Sequence, residues 1–347
     1  MTAPPPAGVV SGLRLDSLTG IRAVAAFLVF WHHAAGLYGA PSSGMVGVSL
    51  FYILSGFVMA WTDRQGDTAW LFYRRRFARI YPAYAVAVVL ALILAALTRG
   101  ISPYELIAFT LLQSWVPDEA IYFAASAVFW SLSCEAFFYL AFPVIRRVMR
   151  ALSTQGLWLV AGGAFIVSLT IASIGSVFPV TPLLTWAVVV FPPSRLPEFV
   201  IGAVLGALFA RGWRPRVPLA LGWVLAAAGV GAAVVAPYAL SRYAVTLVPF
   251  AVLIVALATA DIRGSRVVTR SRVMVRLGEW SYAFYLIHLV VIMVVVPLGE
   301  RLGLPLWASI LLSLAGGVIA AWMLHRFVEK PGNALLRPPG RPLLDSD

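Results

Sequence analysis

The sequence has few charged residues and a single cysteine. Only 12% of its 347 residues are Asp, Glu, Lys or Arg, whereas 61% are hydrophobic. This balance is untypical of a soluble globular protein and typical of a polytopic membrane protein. Cys134 lies inside an apolar run, so the chain has no disulfide framework and no cysteine-based metal site.

Motifs of the common nucleotide and metal enzymes are also missing. The sequence has no P-loop, no dinucleotide glycine fingerprint, no HExxH and no GxSxG elbow in a strand context. Nothing in it indicates a metal or a resident cofactor, and no internal repeat stands out.

The charges that are present are mostly positive. Lys and Arg total 26 against 14 Asp and Glu, for a net charge of +12, and Lys330 is the single lysine. They lie in short clusters between apolar runs, as topology determinants do, so we expect a lipid bilayer and no nucleic acid as the partner. A chain rich in Ala, Val and Arg is typical of a GC-rich bacterial genome. We therefore expect a multi-pass protein of the inner (plasma) membrane.

Ten apolar runs are long enough to cross a bilayer, which takes about 20 residues. They lie near 17–38, 46–62, 79–98, 126–145, 157–176, 195–210, 218–236, 243–260, 278–298 and 304–326. Two shorter runs, 104–115 and 183–193, are expected at the interface or as re-entrant segments. The sequence thus predicts an all-α bundle of about ten transmembrane helices.

The basic clusters fall on one side of the membrane if the N-terminus is cytoplasmic. The opposite side then keeps only Arg99, Arg195, Arg242 and Arg301. This asymmetry follows the positive-inside rule and places both termini in the cytoplasm. We divide the chain into a disordered tail (1–12), one transmembrane domain (13–331) and a cytoplasmic C-terminal tail (332–347).

The first span carries three ionisable side chains, Arg22, His32 and His33. An ionisable group in hydrocarbon costs roughly 2.5–3.5 kcal/mol or more, so a spanning helix keeps one where it faces protein or does chemistry. Arg22 and His33 share one face about 16 Å apart, whereas His32 points about 100° away. We interpret this face as the wall of an active site, with His33 as its working residue.

A basic cluster, FYRRRFARIYPAY, precedes the third span. Its charged residues are Arg74, Arg75, Arg76 and Arg79. One interpretation is a topology signal or a contact with anionic headgroups. The other is a phosphate site, because guanidinium groups bind phosphate bidentately and Arg76 and Arg79 face the same way on a helix. The phosphates of an acyl-CoA would suit this cytosolic position, and Tyr81-Pro82 is expected to set the entry into the span.

The fourth span, WSLSCEAFFYLAFP, carries a polar stripe of Ser131, Glu135 and Tyr139 at i, i+4 and i+8. A buried carboxylate without a partner is costly, so the stripe must meet another polar face. The alternative is an ion pair that only fixes packing. In the second span, Ser55 lies among small residues that serve helix packing, or it contacts a ligand.

A third polar stripe, in WSYAFYLIHLVV, consists of Ser281, Tyr285 and His288. His288 is either a hydrogen-bonded core residue or part of a site. Three spans with one polar face each predict a polar cavity inside the bundle. Two glutamates outside these stripes are interpreted as structural: Glu198 as a helix cap, and Glu329 as the partner of an arginine in a cytoplasmic loop.

Taken together, these motifs resemble the membrane-bound acyltransferase family 3, whose members transfer acyl groups onto sugars and related hydroxyls. The family's basic residue, ten intervening positions and histidine correspond to Arg22 and His33. Its Arg-x-x-Arg corresponds to Arg76 and Arg79. Its Trp-Ser-Leu-Ser-x-Glu ends at Glu135, and LFYILSGFVMA, RLPEFVIGAVLG, SYAFYLIH and RFVEKP complete the order.

Two departures from the family pattern stand out. The first span starts LDSLTGIRA rather than LDGLRG, and Ala136 replaces a second glutamate, so any role of that carboxylate is absent. The resemblance implies a ten-helix bundle that binds an acyl-CoA, commonly acetyl-CoA, from the cytoplasm as co-substrate.

The working hypothesis is direct acyl transfer between two bound substrates. His33 removes the proton of an acceptor hydroxyl as it attacks the thioester, Glu135 orients His33, and Arg22 holds a donor phosphate or polarises the carbonyl. An acyl-His intermediate is the alternative. The residues assigned to CoA are Arg75, Arg76, Arg79 and Tyr81. Those assigned to the acceptor are Ser55, Trp130, Ser131, Tyr285 and His288.

A rival function is a membrane transporter or a flippase for a lipid-linked glycan, which would also place charges midway through a bundle. It predicts an inverted repeat, which the sequence does not show. A structural membrane component would leave the three stripes unexplained. The acceptor could be a polysaccharide, a glycolipid or the sugar of a secreted small molecule such as a macrolide, and the sequence indicates neither which nor an oligomeric state.

Overall fold

The computed structural model describes residues 14–63 and 66–336, and every regular element in these ranges is helical. The ten long helices are α1 (Asp16–Gly36), α2 (Val46–Trp61), α3 (Ala69–Thr98), α4 (Trp130–Ala151), α5 (Thr154–Val177), α6 (Pro192–Ala210), α7 (Leu219–Val235), α8 (Leu247–Ile262), α9 (Arg272–Arg301) and α10 (Leu306–Leu324). This confirms the predicted all-α class. The tail 1–12 and most of the tail 332–347 lie outside the described residues.

Each long helix coincides with one of the predicted runs. Seven described segments are long and apolar enough to cross a membrane. The others are α2 and α7, which are apolar but only 16 and 17 residues long, and α4, whose face carries serines, a glutamate and arginines. The two short runs form short helices, at Pro103–Thr110 with Gln113–Trp115, and at Pro182–Thr185 with Trp186–Val190. The second leads directly into α6, and the two together make up one candidate span, Pro182–Ala210.

The boundaries of α3, α4 and α9 differ most from the prediction, and the chain stays helical past the end of α10. α3 starts at Ala69, ten residues before the predicted 79, with the Thr68 side chain accepting from the Leu71 N–H. Pro82 therefore lies inside a continuous helix and does not set its entry, and the arginine cluster occupies the first turns of α3. After α10 the chain continues through a π-helical turn, His325–Glu329, into a final helix, Lys330–Leu336.

Glycines allow the central helices to pack backbone against backbone. A Cβ at Gly202 of α6 would lie 1.9 Å from the Ile53 carbonyl oxygen of α2, and one at Gly278 of α9 would lie 1.9 Å from the Thr19 oxygen of α1. Such contacts are the way helices associate in lipid, where burial of apolar surface gives little driving force. They hold α1, α2, α6 and α9 together at the centre of the bundle.

Polar contacts at one end of the bundle tie the helices together further. The Ser17 N–H and hydroxyl both donate to the Asp261 carboxylate, at 2.8 and 2.7 Å, which joins the start of α1 to the end of α8. The Asp63 carboxylate, just after α2, forms ion pairs with Arg146 and Arg150 at the end of α4. These contacts fix the relative rotation of helices whose polar faces form the site.

Candidate active site

Five helices contribute polar side chains to a chamber inside the bundle. Two adjoining cavities are both lined by Arg22, Ser55, Glu135 and Tyr282, from α1, α2, α4 and α9. Arg76 and Arg79 of α3 complete the lining of the first cavity. The polar cavity predicted from the stripes is therefore present.

Glu135 is the acidic group of this chamber. Its Oε1 accepts hydrogen bonds from the Tyr139 hydroxyl on the same helix and from the Ser55 hydroxyl at 3.5 Å. Among the described residues that line the first cavity, three arginines face this one carboxylate, so two positive charges are in excess. Such a cavity favours an anionic ligand.

Two of these arginines are held by contacts that leave donors free. Arg22 Nε donates to the Ser281 hydroxyl at 3.2 Å, and its guanidinium lies 5.7 Å from the centre of the Phe51 ring. Arg76 lies over the rings of Phe72 and Tyr139, at 5.4 and 5.7 Å, and its buried Nε has no hydrogen-bond partner in the described part of the chain. Aromatic faces orient a guanidinium without using its N–H groups.

The second cavity is more apolar and leads away from the arginines of α3. Val48, Phe51 and Leu132 line it beside a hydrogen-bonded pair of hydroxyls, Tyr285 and Ser131, whose oxygens are 2.6 Å apart. The predicted acceptor residues Ser55, Ser131 and Tyr285 thus do share a cavity with Glu135 and Arg22.

The histidines form a separate group beyond this cavity. The His33 ring lies 5.3 Å from that of His288 and 5.4 Å from that of His32, and the His288 ring lies 5.9 Å from that of Tyr285. No hydrogen bond or ion pair joins His33 to Glu135 within the described residues; the Oε1 of Glu135 instead accepts from Tyr139 and Ser55. The expected orientation of His33 by Glu135 is therefore not part of this structure.

Three other predicted site residues lie outside the chamber lining. Arg75 forms a bidentate ion pair with Asp67 in the α2–α3 loop. The Tyr81 hydroxyl donates to the Phe109 carbonyl oxygen at 3.1 Å. Trp130 is buried, with its ring 5.7 Å from the Arg195 guanidinium.

Two glutamates interpreted as structural have partners that sequence reasoning did not find. Glu198 is more than a helix cap, because it accepts from the fully buried Arg195 Nε at 2.6 Å. Arg195 also donates to the Ser49 hydroxyl and thereby ties α6 to α2. The prediction that Glu329 pairs with a loop arginine is wrong: its partner is His325, at 2.8 Å, across the π-helical turn.

Tyr282 is the chamber residue that the sequence analysis missed. It lines both cavities, and its hydroxyl donates to the Ile80 carbonyl oxygen of α3 at 2.9 Å. A signal was present, because Tyr282 lies three residues before Tyr285 and such residues share a helix face. The sequence analysis assigned the neighbouring Ser281 to the polar stripe instead, because Ser281, Tyr285 and His288 have i, i+4 and i+7 spacing.

This geometry defines a multi-helix membrane protein with a positively charged chamber between its helices. The acyltransferase domain family matches residues 15–326 of the sequence. The chain therefore belongs to acyltransferase family 3 and is an acyltransferase, as the resemblance of its motifs implied.

Similar proteins are known from several bacteria. The chain is 37% identical over 360 aligned residues to acyltransferase MdmB of Streptomyces mycarofaciens, covering 93% of each protein. It is 29% identical to the exopolysaccharide production protein ExoZ of Rhizobium meliloti, covering 84% of this chain and 91% of ExoZ. The peptidoglycan O-acetyltransferase OatA of Listeria monocytogenes is 26% identical over 153 residues, which cover 39% of this chain and 24% of OatA. No solved structure matches the chain.

Proposed function

We propose that this acyltransferase moves an acyl group, normally acetyl, from acyl-CoA to a hydroxyl of a sugar-containing acceptor at the inner membrane. The single observation that carries the donor assignment is the first cavity, where Arg22, Arg76 and Arg79 outnumber Glu135. A CoA thioester has phosphates at one end and the reactive carbonyl at the other. Its phosphates would neutralise the excess positive charge of this cavity.

The separation of the two polar groups supports an extended donor. Arg22 and His33 are eleven residues apart on α1, which is about 16 Å along a helix. The pantetheine arm of CoA is a chain of comparable length, and the second cavity extends from Arg22 to Tyr285, beside the histidines. We therefore assign Arg22 to the donor's phosphate end and not to its carbonyl, which the sequence left open.

His33 acts as the general base in the reaction we propose. Its lone pair takes the acceptor's hydroxyl proton as the oxygen attacks the thioester carbon. The new C–O bond forms, the C–S bond breaks, and the proton passes from His33 to the departing CoA thiolate. Glu135 balances the charge of the arginines, and Arg75, which is paired with Asp67, holds the loop before α3. Ser55, Ser131 and Tyr285 line the second cavity on the acceptor side.

The acceptor class rests on the relatives, since OatA is named a peptidoglycan O-acetyltransferase and ExoZ an exopolysaccharide production protein. We propose a polysaccharide, a glycolipid or a glycosylated small molecule. The proposed topology has ten spans and both termini in the cytoplasm, where CoA is available.

The test uses the purified protein in lipid nanodiscs with [¹⁴C]acetyl-CoA and a panel of p-nitrophenyl glycosides. We expect CoA release that depends on a glycoside, and a loss of about 10²–10⁴-fold in kcat for His33→Gln, the range for a general base. The matched control is His32→Gln, which removes the adjacent imidazole and should keep kcat within a few-fold.

Three results would contradict the proposal. Equal activity of His33→Gln and the wild type would exclude the base. Labelled acetyl retained on the protein without acceptor would exclude direct transfer and favour an acyl-His intermediate. Absence of any CoA release, together with movement of a lipid-linked glycan across vesicles, would favour the flippase.

A further inference from the structure

His288 is held rigidly in the interior of the bundle. Its side chain is fully buried on α9. The ring stacks on Phe284 at 5.6 Å with an interplanar angle of 14°, and the Phe30 ring of α1 lies 6.3 Å away, edge-on. An imidazole packed between two aromatic rings cannot turn over without repacking its neighbours.

The hydrogen bonds of His288 determine which ring nitrogen carries the proton. Nδ1 lies 2.9 Å from the Tyr285 carbonyl oxygen and 3.2 Å from that of Phe284. Carbonyl oxygens only accept, so Nδ1 must be the N–H and Nε2 of the neutral ring must carry the lone pair. That Nε2 is buried, and no donor reaches it from the described residues.

A buried acceptor without a donor is costly, about 1–3 kcal/mol, so it is expected to have a partner in the working protein. The adjacent ring that can supply an N–H is His33, 5.3 Å away between ring centres. Neither nitrogen of His33 has a hydrogen-bond partner within the described part of the chain, and the hydrogen bonds of Glu135 come from Tyr139 and Ser55. The His33 side chain is partly exposed, whereas that of His288 is fully buried, so His33 is the ring that can rotate to form this contact.

We infer that His288 is the positioning residue of the reaction: its Nε2 accepts the N–H of neutral His33 and thereby turns the other His33 nitrogen, with its lone pair, towards the acceptor hydroxyl. This inference rests on the proposed function of His33. It gives His288 the place that the sequence had assigned to Glu135, with a neutral imidazole in place of a carboxylate. A neutral orienting group avoids burying a second charge in the bundle.

The proton balance of the transfer is unchanged by this arrangement. The acceptor's proton goes to the free nitrogen of His33, and the resulting imidazolium keeps its second N–H bonded to His288 Nε2. The same proton then leaves for the CoA thiolate. His288 touches neither substrate in this scheme and acts only through His33.

Two substitutions at position 288 separate positioning from packing. His288→Phe keeps a flat ring between Phe30 and Phe284 and removes the acceptor, whereas the Oε1 of His288→Gln reaches the position of Nε2 and restores it. With acetyl-CoA and the responsive p-nitrophenyl glycoside, we expect His288→Phe to lose about 10²-fold in kcat, the lower range for base catalysis, with KM for acetyl-CoA within two-fold. We expect His288→Gln to recover at least ten-fold of that loss.

The matched control is His32→Phe, because His32 also lies 5.4 Å from His33 and its substitution should leave kcat within a few-fold. Size-exclusion profiles and melting temperatures in nanodiscs check that each variant folds. Retention of kcat by His288→Phe, or an equal loss in folded Phe and Gln variants, overturns the inference. Wild-type turnover that depends on His33 but not on His288 would refute this inference alone, whereas a wild type without turnover would refute the proposed function.

Discussion

Two consecutive arginines on α3 have identical chemistry but different surroundings. The Arg75 guanidinium is bound by the Asp67 carboxylate. Arg76 lies between the rings of Phe72 and Tyr139 at the cavity, with a buried Nε that has no partner among the described residues. Arg76 therefore has free hydrogen-bond donors for a ligand, whereas Arg75 holds the loop before the helix.

Arg76→Gln is expected to raise KM for acetyl-CoA about 10–100-fold, because a hydrogen bond to a charged group contributes about 1.5–3 kcal/mol. S-acetylpantetheine, which lacks the phosphates, should show less than a three-fold change. Arg75→Gln is the matched control and should change the KM for acetyl-CoA and the KM for S-acetylpantetheine by no more than a few-fold. Initial rates with both donors give the answer, and an equal rise in KM for the two donors would mean that Arg76 does not bind phosphate.

At the scale of elements, the close contact between α2 and α6 depends on glycines, which have no side chain to separate the two backbones. Gly56 of α2 and Gly202 and Gly206 of α6 lie where a Cβ would be within 2.2 Å of a backbone oxygen of the other helix. The buried Arg195–Glu198 pair and the Ser49 hydroxyl join the same two helices. Ser55 of α2 reaches Glu135 only because this contact sets the position of α2.

Gly202→Ala is expected to lower the stability of the bundle by about 1–3 kcal/mol, the usual cost of overpacking, since its methyl group would lie 1.9 Å from the Ile53 oxygen. Gly231→Ala on α7 is the matched control. No atom lies within 4 Å of its Cβ position, and helix propensity favours alanine there by about 1 kcal/mol. Thermal unfolding in one detergent should therefore show a lower Tm for the first variant and an unchanged or higher Tm for the second. A Gly202→Ala protein that melts with the wild type would contradict this packing.

At the scale of the whole molecule, charged residues that the proposed topology places on the same side of the membrane lie at the same end of the bundle. Asp63 after α2, Arg146 and Arg150 of α4 and Arg211 after α6 meet at one end, with Arg211 donating to the Met149 and Leu152 carbonyl oxygens. Arg242 lies at the other end, over the Tyr238 ring. The basic end is the one that the positive-inside rule keeps in the cytoplasm.

Reporter fusions test this topology. If both termini are cytoplasmic, as proposed, a green fluorescent protein fused after Asp347 should fluoresce. Alkaline phosphatase fused there should be inactive, because its disulfides need an oxidising compartment. Fused after Gly303, between α9 and α10, the phosphatase should be active. The reverse pattern in a bacterial host would place the donor cavity on the wrong side for CoA.

The number of helices and the identity of most chamber residues follow from the sequence by itself. Lipid leaves a spanning backbone only its own hydrogen bonds, so each long apolar run becomes a helix, and a polar group at helical spacing on such a run must face the interior. This reasoning found Arg22, Arg76, Glu135 and Tyr285, which line the chamber, and His288, which lies beside it. It also identified the family, which the comparisons confirm.

Only the tertiary structure decided which polar faces meet. Residue spacing along one helix does not show how the neighbouring helices are rotated about their axes, so the sequence paired His33 with Glu135. In the structure the His33 ring lies next to that of His288, and Glu135 accepts hydrogen bonds from Ser55 and Tyr139. The pairing of Glu329 with His325 has the i, i+4 spacing of helix neighbours, but the predicted span ended at residue 326, so the helical continuation that joins them was missed. These contacts depend on close helix packing, in which a rotation by one residue exchanges every partner.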